Sequence, residues 1–289
     1  MTDLAQRISS AALFLLIVLG GIFSGQTGFL LLFALIGALC LWEYTGLVMA
    51  GEENISTAAR ILIVMTALWP YISMMSLFSR GETPLALLSG SSLLSRFALF
   101  WVFLLILLLL GLFKYPRKPF LLFSTALSGT FYIVLPLIVF SLAVSPIKSG
   151  YQPLLALGLL SLSWLNDTGA YFIGSRWGRH KLLPAVSPGK SWEGLFGGLA
   201  ATLILALLLN LFIPLPIPSG WFIPALAASV LGPLGDLLES AMKRSAGLKD
   251  SGNILPGHGG ALDRFDAFLF HLPVSGGYLV YCLQLTVDS

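Results

Sequence analysis

Charged residues are scarce in this chain of 289 residues. Asp, Glu, Lys and Arg together make up 10% of it, against about 25% in soluble domains. Apolar residues make up 57%, and the mean hydropathy is +0.91. Long apolar runs recur along the whole sequence and are too numerous for the core of one soluble domain. The composition therefore excludes an ordinary soluble protein and predicts a multi-pass membrane protein.

Cysteine is also scarce, and several familiar motifs are missing. The two cysteines, Cys40 and Cys282, lie within predicted apolar spans, so they indicate neither a disulfide framework nor a zinc site. A net charge of +3 is too small to indicate nucleic-acid binding. The sequence has no low-complexity segment, no convincing internal repeat, and no G-x-G-x-x-G, H-E-x-x-H or G-x-S-x-G motif.

One short string resembles the end of a P-loop. It reads Gly189-Lys190-Ser191, but the motif also needs a glycine at position 184, where this chain has Pro184. No strand is predicted before the string either. A P-loop nucleotide site is therefore excluded.

The apolar runs predict an all-α, polytopic fold with about nine transmembrane helices. The predicted spans are residues 8–24, 27–49, 59–78, 95–113, 120–144, 152–173, 194–213, 221–242 and 264–286. The first span has some features of a signal peptide, but no clear cleavage site follows it, so we expect a retained helix. We expect packing and lipid-facing helices in residues 1–150 and a catalytic region with polar loops in residues 151–289.

The distribution of Lys and Arg predicts the orientation in the membrane. With nine spans, 13 of these residues fall on the side of the N-terminus and three on the other side. Basic loops face the cytoplasm, so we expect a cytoplasmic N-terminus and an external C-terminus. Asp167, Asp236, Asp263 and Asp266 would then lie near the cytoplasmic ends of their spans. This arrangement suits a soluble substrate that carries phosphate and metal.

The spacing of the acidic residues favours two opposed interpretations. Asp236, Glu239 and Lys243 share one helix face, and Asp263 and Asp266 are three residues apart. Two acidic pairs from neighbouring helices can hold a hard divalent cation through oxygen ligands. The same side chains can instead form internal ion pairs, such as Asp236 with Lys243. Spacing alone does not decide between the two.

Two polar segments predict contacts with phosphate. The turn P-G-H-G-G, residues 256–260, leads into a helix whose first amides favour anions. His258 in this turn can contact a phosphate or be satisfied by the backbone. Ser187 is predicted as an N-cap with Pro188 at the first helical position. Lys190 and Ser191 would then lie in the first turn, although Lys190 can instead extend towards lipid head groups.

One acidic residue lies far from these clusters. Glu43, in the string L-W-E-Y, is predicted near the cytoplasmic end of the second span. We interpret it as an interfacial glutamate beside an aromatic belt residue, with a functional role left open.

Residues 240–266 resemble the signature of the phosphatidate cytidylyltransferase (CDP-diacylglycerol synthase) family, S-x-x-K-R-x-x-x-x-K-D-x-x-x-x-x-P-G-H-G-G-x-x-D-R-x-D. The matching positions are Ser240, Lys243, Arg244, Lys249, Asp250, Pro256, Gly257, His258, Gly259, Gly260, Asp263, Arg264 and Asp266. The segments 166–171 and 187–194 look like the same family's second conserved region. The specific resemblance covers roughly residues 160–270.

The resemblance implies an integral membrane enzyme that converts CTP and phosphatidate into CDP-diacylglycerol and pyrophosphate. It implies Mg²⁺ as cofactor, with a second cation left open, and a homodimer. The partners would be membrane lipids and the two substrates, without nucleic acid. The expected location is the bacterial inner (cytoplasmic) membrane, with the active site facing the cytoplasm.

The resemblance and the local chemistry together predict a role for each polar position. The expected catalytic residues are Asp236, Asp263, Asp266, Lys243 and Arg244. Three of them, Asp236, Asp263 and Asp266, are also the expected metal ligands. The expected substrate-binding residues are Asn166, Asp167, Lys190, Ser191, Lys249, His258, Gly259, Gly260 and Arg264.

Two other classes of membrane protein are less consistent with the sequence. An ion-coupled transporter would bind cations near the midplane between repeated halves, whereas the charges here lie at one end of their helices. A CDP-alcohol phosphotransferase would resemble D-G-x-x-A-R followed by G-x-x-x-D-x-x-x-D, and no such string occurs.

Overall fold

The computed structural model describes residues 3–52, 55–78, 91–146, 150–215, 219–252 and 259–288. Helices dominate these residues. They are α1 (Asp3–Phe23), α2 (Gln26–Val48), α3 (Thr57–Phe78), α4 (Ser91–Lys114), α5 (Leu121–Gly129), α6 (Leu135–Ala143), α7 (Pro153–Trp177), α8 (Trp192–Phe212), α9 (Phe222–Ser245) and α10 (Leu262–Asp288). A π-helical stretch, Thr130–Val134, joins α5 to α6, and the strands β1 (Lys181–Leu183) and β2 (Ser187–Ser191) lie between α7 and α8.

Each predicted span contains a helix, with α5, the π-helical stretch and α6 filling the fifth, so the helical membrane fold is confirmed. Within the described ranges, six segments are long and apolar enough to cross a membrane. They are Gln26–Val48, Thr57–Phe78, Leu94–Lys114, Leu121–Ala143, Trp192–Phe212 and Phe222–Ser245. Membrane crossing by α1, α7 and α10 stays a prediction. The last two helices carry several of the polar residues discussed below, which lowers their mean hydropathy.

The chain forms two compact units. The first unit contains Met1–Ile138 and Asp250–Leu262, and the second contains Val139–Lys249 and Asp263–Ser289. Residues 250–262, which lie within the segment 240–266 that resembles the family signature, therefore belong to the first unit. The expected division into packing helices in residues 1–150 and a catalytic region in residues 151–289 stays a prediction.

The first unit is held together by apolar packing and a few polar contacts between helices. Its core cluster comprises Met49, Ala59, Ile63, Leu104, Leu107, Leu122 and Ala126. The Tyr44 hydroxyl donates to Ser128 Oγ at 2.8 Å and so joins α2 to α5. The Arg60 guanidinium lies 4.1 Å from the Trp42 ring centroid and donates to the Trp42 carbonyl at 2.9 Å. Apolar burial and satisfied polar groups together fix the arrangement of these helices.

The second unit is built around close packing of α7 on α8 and of both helices on α9. Small residues make the α7–α8 approach possible. A β-carbon on Gly174 would lie 3.3 Å from the Gly194 Cα, and one on Gly169 would lie 2.7 Å from the Ala201 Cβ. Close backbone approach through small residues is a common means of helix association in membranes.

The short hairpin between α7 and α8 corrects two expectations. Ser187 is not an N-cap, because β2 pairs with β1 in antiparallel fashion, with Leu183 opposite Ser187. This pairing keeps Ser187–Ser191 extended, so α8 begins only at Trp192. Ser191 is the N-cap, and its Oγ accepts the Gly194 N–H at 3.1 Å. A strand therefore does precede the Gly189–Ser191 string, although the proline at position 184 still excludes a P-loop.

Candidate active site

Lys190 joins the hairpin to α9 in the second unit. Its Nζ lies 2.7 Å from Asp236 Oδ2 and donates to the Pro233 carbonyl at 3.0 Å. Both side chains are partly accessible, at 21% for Lys190 and 39% for Asp236. The extended β2 strand, rather than the first turn of a helix, therefore presents this lysine.

Two further carboxylates lie close to Asp236. Asp167 on α7 and Asp266 on α10 are each near enough to Asp236 to interact with it electrostatically. Asp266 is buried, whereas Asp167 is exposed. Lys190 is near both of them as well. Three helices and one strand thus bring three carboxylates and one ammonium group together, as the sequence predicted for Asp167, Asp236 and Asp266.

A second charged cluster is centred on Lys243. Its Nζ lies 2.5 Å from Glu239 Oε2 and 2.5 Å from Asp263 Oδ1. Glu239 is only 1% exposed, and the Asp263 side chain is 8% exposed. Internal ion pairs, the alternative considered from spacing, do form: Lys243 pairs with Glu239 and Asp263, and Asp236 pairs with Lys190. The pair of Asp236 with Lys243, given as an example of that alternative, is not among the ion pairs of the described residues.

The oxygen donors of these clusters suit a hard cation such as Mg²⁺. Oε1 of Glu239 is buried and has no hydrogen-bond donor among the described residues, so it is an unused acceptor in a site rich in carboxylates. No group of three or more His, Cys, Asp or Glu side chains in the described part of the chain forms a ready set of metal ligands. The residues therefore fit a cation bound by one or two carboxylates, with substrate phosphates completing its coordination.

Asn166 lies next to the first cluster. It is 1% exposed, its side chain is near enough to the Asp167 carboxylate to interact with it, and its Oδ1 has no hydrogen-bond donor among the described residues. Gly198 leaves room for it, because a β-carbon on that glycine would lie 2.9 Å from the backbone carbonyl oxygen of Asn166. Substrate binding by Asn166 stays a prediction.

The remaining predicted site residues have different surroundings. Arg244 and Lys249, which follow Lys243 in the sequence, are exposed. Arg264 is also exposed, and it is near enough to Asp167 to interact with it electrostatically. Gly259 has a φ of +81°, a left-handed backbone conformation that favours glycine, as expected for this position. Gly260 is buried. His258 lies outside the described residues.

Ser191 is buried and occupied with helix capping. Its Oγ accepts the Gly194 N–H, and the side chain is 4% exposed. The predicted place of Ser191 in a helical first turn is therefore wrong, although its hydroxyl hydrogen is not used by this bond. Contact with a phosphate stays a prediction.

Sequence interpretation missed the importance of Glu43 in the first unit. This carboxylate is buried and accepts hydrogen bonds from Ser251, Ala261 and Leu262. An ionisable residue inside an apolar span is itself a signal of function. Its neighbours in the sequence are aromatic, however, and they favoured an interfacial interpretation.

Comparison with known proteins identifies the family of this chain. The model of the cytidylyltransferase family matches residues 5–282. The phosphatidate cytidylyltransferase of Bacillus subtilis (strain 168) is 51% identical over 123 residues, which cover 42% of this chain and 44% of the relative. That of Staphylococcus saprophyticus is 52% identical over 113 residues, or 38% of this chain and 43% of the relative.

These matches differ in extent. The aligned part of the chain spans less than half the length of the curated relatives. The family model, in contrast, extends over nearly the whole chain. This protein therefore belongs to the cytidylyltransferase family.

Proposed function

We propose that this protein transfers the cytidylyl group of CTP to phosphatidate, giving CDP-diacylglycerol and pyrophosphate. The observation that carries the proposal is the convergence of Asp167, Asp236 and Asp266 on Lys190. Charged groups inside an apolar protein are expensive and mark functional sites. The names of the relatives support phosphatidate as the acceptor.

The reaction needs positioning and charge neutralisation more than it needs a base. A phosphate oxygen of phosphatidate attacks the α-phosphorus of CTP, the bond from that phosphorus to the oxygen bridging the α- and β-phosphates breaks, and pyrophosphate leaves. The attacking oxygen is already anionic, so no proton has to be removed from it. Catalysis then depends on in-line alignment and on stabilisation of the charge that develops on the leaving group.

Lys190 and Lys243 are suited to bind the phosphates. Each ammonium group pairs with carboxylates, Lys190 with Asp236 and Lys243 with Glu239 and Asp263. We expect the lysines to exchange these partners for phosphate oxygens when CTP binds. Asp236 and Asp263 would then be free to hold a cation, with Asp266 and Asp167 as further ligands or as groups that orient the ligands.

A divalent cation fits this donor set. Mg²⁺ held by one or two of the carboxylates Asp236, Asp263 and Asp266 would neutralise the triphosphate and the leaving pyrophosphate. A second cation is compatible with the number of carboxylates. Arg244, Lys249 and Arg264 would add positive charge around the phosphates.

The same proposal includes placement in the cell. CTP is a cytoplasmic metabolite, and the Lys and Arg distribution favours a cytoplasmic face for the polar loops. Phosphatidate would enter laterally with its acyl chains in lipid. We therefore propose a multi-pass inner-membrane protein with a cytoplasmic N-terminus, and a homodimer as its assembly.

The experiment uses purified protein in detergent with phosphatidate, Mg²⁺ and each of the four nucleoside triphosphates in turn. Pyrophosphate and lipid-linked nucleotide are measured together. We expect product with CTP, and loss of product on addition of EDTA. A folded protein that releases no pyrophosphate with CTP would contradict the proposed reaction.

A further inference from the structure

The carboxylate of Glu43 on α2 joins the two ends of the loop that precedes α10. Its Oε1 accepts the Ala261 N–H at 2.9 Å, and its Oε2 accepts the Leu262 N–H at 2.8 Å. Ser251 Oγ also donates to Oε2, at 2.9 Å. All four residues belong to the first unit.

This contact solves two physical problems at once. A buried carboxylate is unfavourable unless hydrogen bonds compensate its loss of hydration, and Glu43 is 4% exposed. The first amides of a helix likewise need acceptors and favour negative charge. Glu43 therefore caps α10 from a distant part of the chain.

Two glycines allow the carboxylate to reach both ends of the loop. A β-carbon on Gly252 would lie 2.5 Å from Glu43 Oε1, and one on Gly260 would overlap Oε2. Any larger residue at either position would displace the carboxylate or the loop. Gly252 follows Ser251 and Gly260 precedes Ala261, so each glycine lies next to a residue that donates a hydrogen bond to the Glu43 carboxylate.

The geometry points to Glu43 as a positioning residue of the site. By fixing Ser251 at one end of the loop and Leu262 at the other, it sets the start of α10, where Asp263 is the next residue. The catalytic consequence rests on the proposed function, whereas the structural role of Glu43 does not.

The first test compares Glu43→Gln with Tyr44→Phe. A carboxamide keeps the shape but has one acceptor oxygen, and its NH₂ group would face an N–H donor. We expect kcat to fall on the order of 10- to 100-fold, because small displacements of reacting groups have effects of this size. Tyr44→Phe loses one hydrogen bond of the adjacent residue, to Ser128, and should keep kcat within about twofold of the unaltered protein.

Amide hydrogen exchange provides a readout that does not depend on activity. In Glu43→Gln, the amides of Ala261 and Leu262 should exchange faster than in the unaltered protein and in Tyr44→Phe. If the unaltered protein shows protection here but no cytidylyl transfer, the proposed function fails while the cap remains supported. Unchanged exchange in Glu43→Gln would overturn the cap itself.

A glycine variant keeps the inference testable if Glu43→Gln does not fold. Gly252→Ala alone should lower activity, because its β-carbon would lie 2.5 Å from Glu43 Oε1. In a Glu43→Ala background, the same change should have little additional effect, since its close contacts are all with Glu43 atoms that alanine lacks. Additive losses in the double variant, or full kcat in Glu43→Gln together with faster exchange, would refute the positioning role.

Discussion

The ammonium group of Lys190 lies 2.7 Å from the carboxylate of Asp236. This pair joins a short strand to a helix in a chain of which charged residues make up only 10%. Both partners are partly accessible, so a ligand can reach them. Their contact is therefore better explained as a binding element than as a structural brace, since accessible ion pairs contribute little stability.

Replacement of Lys190 by Met should weaken CTP binding much more than it weakens the fold. One charge-assisted hydrogen bond contributes about 1.5–3 kcal/mol, so we expect KM for CTP to rise roughly 10- to 100-fold. Lys181→Met is the matched control, because Lys181 is an exposed lysine of the same hairpin. Equal KM values for the two variants, measured by pyrophosphate release, would remove Lys190 from the site.

Asp263→Asn should abolish most turnover in a protein that remains folded. The substitution keeps the size of the side chain and removes the charge that we propose to hold the cation. A metal-held charge contributes several kcal/mol to such reactions, so the expected loss is at least about 100-fold. Glu52→Gln serves as the control because Glu52 is a carboxylate outside the signature that forms an ion pair with Lys118. Near-normal activity of Asp263→Asn would contradict the assignment.

Lys243→Met should destabilise the protein even without substrate. It leaves the carboxylates of Glu239 and Asp263 without their shared cation, and unpaired buried charge is unfavourable by about 3–5 kcal/mol. We expect a lower Tm in detergent and partial recovery in the double variant Lys243→Met, Glu239→Gln. A Tm equal to that of the unaltered protein would show that the ammonium group does not compensate these carboxylates.

Ser191→Ala should reduce stability through loss of the helix cap. Ser191 Oγ accepts the Gly194 N–H, and an N-cap of this kind contributes about 1 kcal/mol. Ser191→Asp retains an acceptor and should recover part of the loss, whereas Ser187→Ala should have little effect because Ser187 lies in β2. The comparison is a set of denaturation curves, and equal loss from both alanine variants would exclude the cap.

Helix positions were predictable from the sequence because apolar runs of membrane length carry strong signals. The hairpin of β1 and β2 was not predicted from the sequence. Ser187 followed by Pro188 suits a helix start and also suits an extended segment, and only the pairing with β1 decides between them. Local propensity is a weak guide where tertiary contacts set the conformation.

The sequence predicted which charged residues form the candidate site, but it did not predict all of the ion pairs between them. Spacing placed Glu239 and Lys243 on one helix face, and they do form an ion pair. The partner of Asp236 comes from β2, 46 positions away in the numbering of the chain. No periodicity within α9 contains that information. The role of Glu43 was hidden for the same reason, since its partners lie more than 200 residues further along the sequence.

The large separation in sequence between Glu43 and its hydrogen-bond partners has a consequence for biogenesis. The ribosome completes α2 long before it reaches Ser251, which is 208 residues later. Glu43 is therefore already synthesised when the segment before α10 is made. Without Glu43, the N–H groups of Ala261 and Leu262 would lack this acceptor. A fragment that begins after Ile138 would keep every charged residue of the second unit and still lack the group that closes this loop. Separating the halves of the gene should thus yield a C-terminal product whose loop closes only when the N-terminal half is supplied alongside it.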